Sequence, residues 1–232
     1  MTILISIDDT DTKESRGTGR LARAIAGALH PHGIVTGVTR HQLLVHPDIP
    51  YTSHNSCAVI HLDPENGVQI SDLMNTVSTI MREDFIIGSD PGLAMGSIDT
   101  ITPDIIAFGQ DAKHRVLTQD DAIVCAKRNV IPLLGLGGTC GGVIGALAGL
   151  GLAASGNDGR YVLKGRLRDY TGEADISDLL SEGIDEIRTT DGSFVQNGIV
   201  TFRKFPKPSL RNFKAVLFVE KRDGCYHEVV KD

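Results

Sequence analysis

Tryptophan is missing from all 232 residues, and the aromatic side chains together make up only 5% of them. A surface that stacks unpaired bases on aromatic platforms is therefore not indicated. The cysteines, Cys57, Cys125, Cys140 and Cys225, contain no Cys-x-x-Cys pair, which excludes the usual spacing of a structural zinc site and gives no disulfide framework. They read as small, partly buried apolar residues. No run approaches the ~18 uninterrupted apolar residues of a membrane-spanning helix. The first residues have neither a basic start nor a small-residue cleavage pattern, so the expectation is a cytoplasmic protein with no membrane contact. A surplus of positive charge is lacking too: the net charge of −6 disfavours a protein whose whole surface grips a polyanion.

With 41% apolar residues, the chain has enough to bury a core of one large domain or two small ones. Strand-like and helix-like segments alternate. Residues 2–7 read as a buried strand, and 18–30 as a helix with Leu21, Ile25 and Leu29 on one face. Two further strands are expected at 34–46 and 57–63, with Pro47 and Pro50 breaking the chain between them, and the period predicts a helix over 70–81. Asp90-Pro91-Gly92 marks a turn before a second helical region, and Thr118 begins a capped helix through Arg128. Beyond Gly159 come a strand at 160–167, a short helix at 176–182, and strands near 193–203, 213–220 and 225–230, the last two a hairpin across Arg222-Asp223-Gly224. These segments divide into an α/β unit over 1–115 and a smaller α+β unit over 116–232.

Three carboxylates stand in four positions at Asp8, Asp9 and Asp11, directly after an apolar strand. Gathered at a strand end they repel one another at neutral pH, and a divalent cation would offset them. Hard oxygen ligands suit Mg²⁺. Gly17, Thr18 and Gly19 follow and open a helix whose first N–H groups could hold an anion. A solvated turn capping local backbone donors is the competing reading of the same residues. The segment is not a P-loop, since no Gly-Lys-Ser/Thr follows.

A second informative stretch runs from Gly135 to Leu152, apolar but dense in glycine. Each helical glycine costs about 1 kcal/mol relative to alanine, so close packing or ligand approach is implied. A loop over 135–142 running into a helix from Val143 would expose N–H groups. Gly145 and Gly149, four apart, would give a smooth face for another element, and a tightly packed helix without a ligand explains the same pattern. Arg203, Lys204, Lys207, Arg211, Lys214, Lys221 and Arg222 could form a basic patch or a solvated strand surface.

Ile7-Asp8-Asp9-Thr10-Asp11 with Gly17-Thr18 downstream, Pro47-Asp48-Ile49-Pro50-Tyr51, Asp90-Pro91-Gly92, and Gly142-Val143-Ile144-Gly145-Ala146-Leu147-Ala148 occur in one order. In that order and approximate spacing, over roughly residues 1–165, the chain resembles archaeal tRNA-isoleucine agmatidine synthetases. The resemblance implies a kinase-like N-terminal domain that binds ATP and metal, followed by a ferredoxin-like domain that helps bind agmatine. It implies Asp8, Asp9 and Asp11 as metal ligands and catalytic residues, and Thr18 as the residue that takes up the γ-phosphate. The segment 142–148 would lie on the agmatine side. Two departures stand out. Relatives show Lys-Thr-Arg-Gly-Asn after the tyrosine, where this chain has Thr52-Ser53-His54-Asn55-Ser56, and a second threonine where it has Gly19. Relatives also continue into an OB-fold and a zinc ribbon that hold tRNA; no zinc spacing is present in these residues, so direct tRNA binding is not expected of them.

The functional expectation is ATP- and Mg²⁺-dependent phosphoryl or nucleotidyl transfer by a ligase or kinase-like transferase. Asp8, Asp9, Asp11 and Thr18 would be at its centre, with Gly17, Gly19, Asn55, Gly138 and Gly142 around the nucleotide. The acceptor side would use Gly137 to Gly142 with Asp120 or Asp121, for a small amine such as agmatine. The partners left open are a second copy of the chain and a separate RNA-holding subunit. The alternative is a non-catalytic nucleotide-binding or regulatory module.

Overall fold

The apolar run Ile3-Leu4-Ile5 is fully buried at the centre of an antiparallel sheet, and everything in the first half of the protein is arranged around it. The computed structural model describes residues 1–12, 17–49 and 54–231. Residues Pro50 to Ser53, which carry part of the family resemblance, lie outside the described residues. The chain is a mixed α/β protein that divides into two compact units, Met1–Ser155 and Gly156–Asp232.

The first unit contains, in order, β1 (Ile3–Asp8), α1 (Thr18–Ala28), β2 (Gly33–Gln42), β3 (Ser56–Pro64), α2 (Ile70–Glu83), β4 (Gly92–Ser97), α3 (Pro103–Asp111), α4 (Gln119–Arg128), β5 (Leu133–Gly135) and α5 (Val143–Ala154). Its strands lie in the order β5-β4-β1-β3-β2, each pair antiparallel. Strand alternation sends Leu4 of β1, and Cys57 and Val59 of β3, into the same apolar cluster as Ala146, Leu147 and Leu150 of α5. Helices α3 and α4 pack against α5 in turn. Ile3, Ile5 and Ile7 point to the opposite face and are fully buried there. That face falls to α1, whose Leu21 and Ile25 are buried, and to α2, with buried Leu73 and Val77. The layers are thus helices, sheet, helices.

The glycines of α5 are what let it lie so close. A Cβ at Gly149 would come within 2.4 Å of Ser6 Oγ and 2.6 Å of Cys57 Sγ, and one at Gly151 within 2.1 Å of the Ile105 carbonyl oxygen. Gly145 and Gly149 therefore do form a smooth face, against β1 and β3, while Gly151 admits the backbone of α3. Gly151→Ala is expected to destabilise by about 2 kcal/mol, because two backbones must separate. Gly27→Ala in α1, where a Cβ meets nothing within 4 Å, should be neutral or gain up to about 1 kcal/mol. Urea unfolding of the two variants checks the contrast, and equal midpoints would contradict the close-packing explanation.

Two expectations change. The region after Asp90-Pro91-Gly92 was expected to be helical, whereas Gly92–Ser97 is the strand β4. Its six residues are all buried, so no alternation marks it, and Leu93, Ala94 and Met95 favour helices by propensity. The expected boundary at 115/116 falls inside the first compact unit. The residues beyond it rejoin the first sheet, since β5 pairs with β4 and α5 covers β1, β3 and β4. The glycine segment expected in a second, acceptor-binding domain accordingly belongs to the first unit.

The second unit has β6 (Arg160–Leu163), β7 (Glu173–Asp175), α6 (Ile176–Ser181), β8 (Glu186–Thr189), β9 (Ile199–Thr201), β10 (Ser209–Arg211), β11 (Lys214–Arg222) and β12 (Cys225–Glu228). Its strands run β6-β10-β11-β12-β9-β7, with β8 parallel to β11. Leu179, Ile187, Val200, Leu217 and Val219 form its core. The β11–β12 hairpin turns on Asp223 and Gly224, both at positive φ, as a tight two-residue turn requires. The basic residues of this region are largely engaged locally. Lys214 pairs with Glu186 and Arg222 with Glu220, while Lys207 lies 5.3 Å from the Phe205 ring centre and Lys221 5.8 Å from that of Tyr226. Among the described residues no helix is long and apolar enough to cross a membrane.

Candidate functional site

Asp8 closes β1 and Asp9 follows at φ 49°, a left-handed conformation that aspartate tolerates better than most side chains. That turn brings Asp8, Asp9 and Asp11 into the lining of one cleft of about 260 Å³, together with Thr18. Thr18 is the first residue of α1, and its Oγ1 donates to Asp11 Oδ1 at 3.0 Å. Gly17 precedes the helix and offers no side chain to cap it, and no acidic residue stands in the first turn, so the carboxylate at this helix start is that of Asp11.

The facing wall is the glycine loop before α5. Asp90 organises it: its carboxylate accepts from the Thr139 backbone N–H, and its carbonyl accepts from the Gly142 N–H at 2.8 Å. At three glycines here a side chain would displace a neighbouring group. A Cβ at Gly138 would meet Asp90 Oδ1 at 1.9 Å, one at Gly142 would meet the Asp90 carbonyl oxygen at 2.4 Å, and one at Gly145 would meet Asp8 Oδ2 at 1.7 Å. The remaining lining comes from two connections. The β2–β3 connection and the first residue of β3 give Leu43, Asp48, Ile49, His54, Asn55 and Ser56, and the α3–α4 connection and the first residue of α4 give Ala112, Arg115, Val116, Leu117 and Gln119. Gln119 ties that side to the glycine loop by donating to the Thr139 carbonyl at 3.0 Å.

Five aspartates, Asp8, Asp9, Asp11, Asp48 and Asp90, share this lining. Burial pushes the Asp8 carboxyl up to about 7, with the charges of Asp9 and Asp11 adding to the shift. Burial likewise raises Asp9 to about 6, assisted by Asp90 and Asp11. Near neutral pH these groups hold a negative charge that the fold disfavours, and a hard divalent cation is the species that such oxygen donors accept. Among the described residues no three His, Cys, Asp or Glu groups converge as a ready metal cage. Mg²⁺ keeps several waters and is commonly held by one or two carboxylates together with substrate phosphates, so its binding does not need three protein ligands.

Of the residues expected from sequence, Asp8, Asp9, Asp11, Thr18, Asn55 and Gly142 line the cleft. Gly17 stands beside it, 3.6 Å from Asp11 Oδ2 for an added Cβ. Gly19 and Gly138 are outside the lining; Gly138 shapes it indirectly through Asp90. The Asn55 amide donates to the Leu44 carbonyl at 2.7 Å, so that side chain braces the β2–β3 connection. Asp121 is engaged in a capping box with Thr118, and Asp120 lines a different hollow with Asp104 and Arg128. Sequence reasoning missed Asp90, Gln119 and Arg115 as cleft residues, while Thr139 falls within the 137–142 segment expected on the acceptor side. Only Asp90 carried a signal: Asp90-Pro91-Gly92 is among the motifs of the resemblance, but by itself it reads as a turn and gave Asp90 no role.

No family model matches the chain, and no curated protein matches it. Solved structures do. A tRNA fluorescent labeling enzyme is 26% identical with a TM-score of 0.58, covering 65% of this chain and 36% of that one. The complex of a tRNA-isoleucine agmatidine synthetase with its tRNA and ATP is 25% identical with a TM-score of 0.57, covering 65% and 36%. The complex of the same synthetase with tRNA, AMPCPP and agmatine is 25% identical with a TM-score of 0.56, again covering 65% and 36%. The chain thus has a synthetase-like α+β fold and spans little more than a third of the length of the proteins it matches.

Proposed function

We propose that this chain is an ATP- and Mg²⁺-dependent phosphoryl- or nucleotidyl-transfer enzyme of the agmatidine-synthetase type, working from the cleft at the end of β1. The observation that carries the reading is that Asp8, Asp9, Asp11 and Thr18 line one cleft, with the Thr18 hydroxyl donating to Asp11. The likeness to a synthetase solved with ATP and with AMPCPP supports nucleotide as the ligand.

Asp8, Asp9 and Asp11 would hold Mg²⁺, which supplies charge neutralisation to the phosphate oxygens as the transferred group loosens. The N–H groups at the start of α1 and of the glycine loop orient oxygens on either side. Thr18 Oγ1 is a weak nucleophile on its own, and Asp11 is placed to take its proton. In the covalent route the Thr18 oxygen bonds to the terminal phosphorus, the bridging P–O bond breaks, and the nucleoside diphosphate leaves with that electron pair. The acidic lining suits a cationic acceptor, and a small amine such as agmatine is the proposed one. The apolar residues Leu43, Ile49, Val116 and Leu117 would take its methylene chain or the base. RNA would be held by other segments or by a partner subunit.

Mass spectrometry after incubation with ATP and Mg²⁺ tests the covalent step. A gain of one phosphoryl group, lost in Thr18→Ala, is expected. ATP consumption without that gain would leave Thr18 as a ligand only, and no ATP consumption would favour a nucleotide-binding module.

A further inference from the structure

We infer that Arg115 is the phosphate-binding side chain of this cleft and that Asp111 competes with the ligand for it; the inference rests on the nucleotide reading above. Arg115 stands in the connection between α3 and α4 and is the sole lysine or arginine among the described residues that line the cleft, whose lining also holds the five aspartates. A triphosphate brought into such a lining meets repulsion from every side but this one and the metal. A guanidinium answers it best, because its planar fork engages two phosphate oxygens at once and stays charged at any working pH.

In the structure the guanidinium has a partner of its own. Arg115 Nη2 lies 2.7 Å from Asp111 Oδ2, one helical turn back, and the Asp121 charge also acts on it. The side chains of the pair are 59% and 48% exposed, in the regime where an ion pair is screened and weak. Release leaves little behind. Asp111 returns to water, and Asp121 keeps the Thr118 N–H and hydroxyl. The neighbouring Arg128 is not among the lining residues of this cleft. Phosphate and Asp111 therefore contend for the same guanidinium.

The opposite signs of two substitutions test this. Calorimetric titration with AMPCPP and Mg²⁺ should show Arg115→Gln weakening binding about tenfold or more, Arg115→Lys losing less, and Asp111→Asn binding about two- to fivefold tighter, whereas unchanged affinity in Asp111→Asn overturns the competition. If Arg115 merely staples the end of α3 through Asp111, both Arg115→Gln and Asp111→Asn weaken binding alike, which overturns the inference. Unchanged affinity in Arg115→Gln overturns it as well, while leaving the nucleotide reading standing. No binding to the wild-type chain overturns both.

Discussion

Asp8→Asn is expected to lose ATP turnover by about a thousandfold or more while making the metal-free protein more stable at pH 8. The two halves have one cause. Asp8 is raised from 3.8 to about 7, first by burial and then by the charges of Asp9 and Asp11. A carboxyl whose folded value lies above its unfolded one contributes stability that is fully present below about pH 4. That contribution fades as pH rises through about 7. Above that window the wild-type protein carries a charge the fold resists, and asparagine removes it. Because Asp8 keeps some contact with solvent, the gain at pH 8 is on the order of 2 kcal/mol, shrinking towards nothing at pH 4. Activity is lost for the complementary reason: the charge that the bare fold resists is what would attract the metal. Thermal melts across pH 4–8 check the first half and turnover assays the second. A variant that is destabilised at pH 8, or one that still turns over, would contradict the assignment.

Gly145→Ala is expected to cut turnover about a hundredfold or more with no loss of stability. A Cβ at this position would sit 1.7 Å from Asp8 Oδ2 and 2.5 Å from its Cγ, so the carboxylate must swing out of the cleft. The displaced group is the end of a short side chain, and the backbone of β1 stays paired with β3 and β4. Alanine meanwhile gains about 1 kcal/mol of helix propensity inside α5. A lower melting temperature would instead indicate that the helix has lifted from β1. Normal turnover would show that the present position of Asp8 is not the working one.

The parts of the fold with a periodicity of their own were legible in the residues. The apolar run of β1, the Leu21–Ile25–Leu29 face of α1, the period of α2 and the Thr118 start of α4 all stand within a few residues of expectation. So did the smooth glycine face of α5, although not what it would lie against. β4 was illegible because a strand buried on both faces, made of Gly, Leu, Ala and Met, shows neither alternation nor β-branched residues. The unit boundary was illegible because a chain does not announce which sheet a later helix will cover. For the site, three clustered aspartates and a glycine-flanked threonine can be read locally. Asp90 and Arg115 reach the cleft only through tertiary contact, Asp90 from the turn before β4 and Arg115 from beyond α3. Arg115 carries no local motif, and Asp90-Pro91-Gly92 reads locally as a turn.

The most direct test is calorimetric titration of AMPCPP into the wild-type protein with and without Mg²⁺, repeated with Asp8→Asn. Binding that needs Mg²⁺ in the wild type, and that falls to the metal-free level in the variant, is the expected result. Nucleotide binding indifferent to Mg²⁺, or equal in the two proteins, would contradict a metal held by the carboxylates at the end of β1.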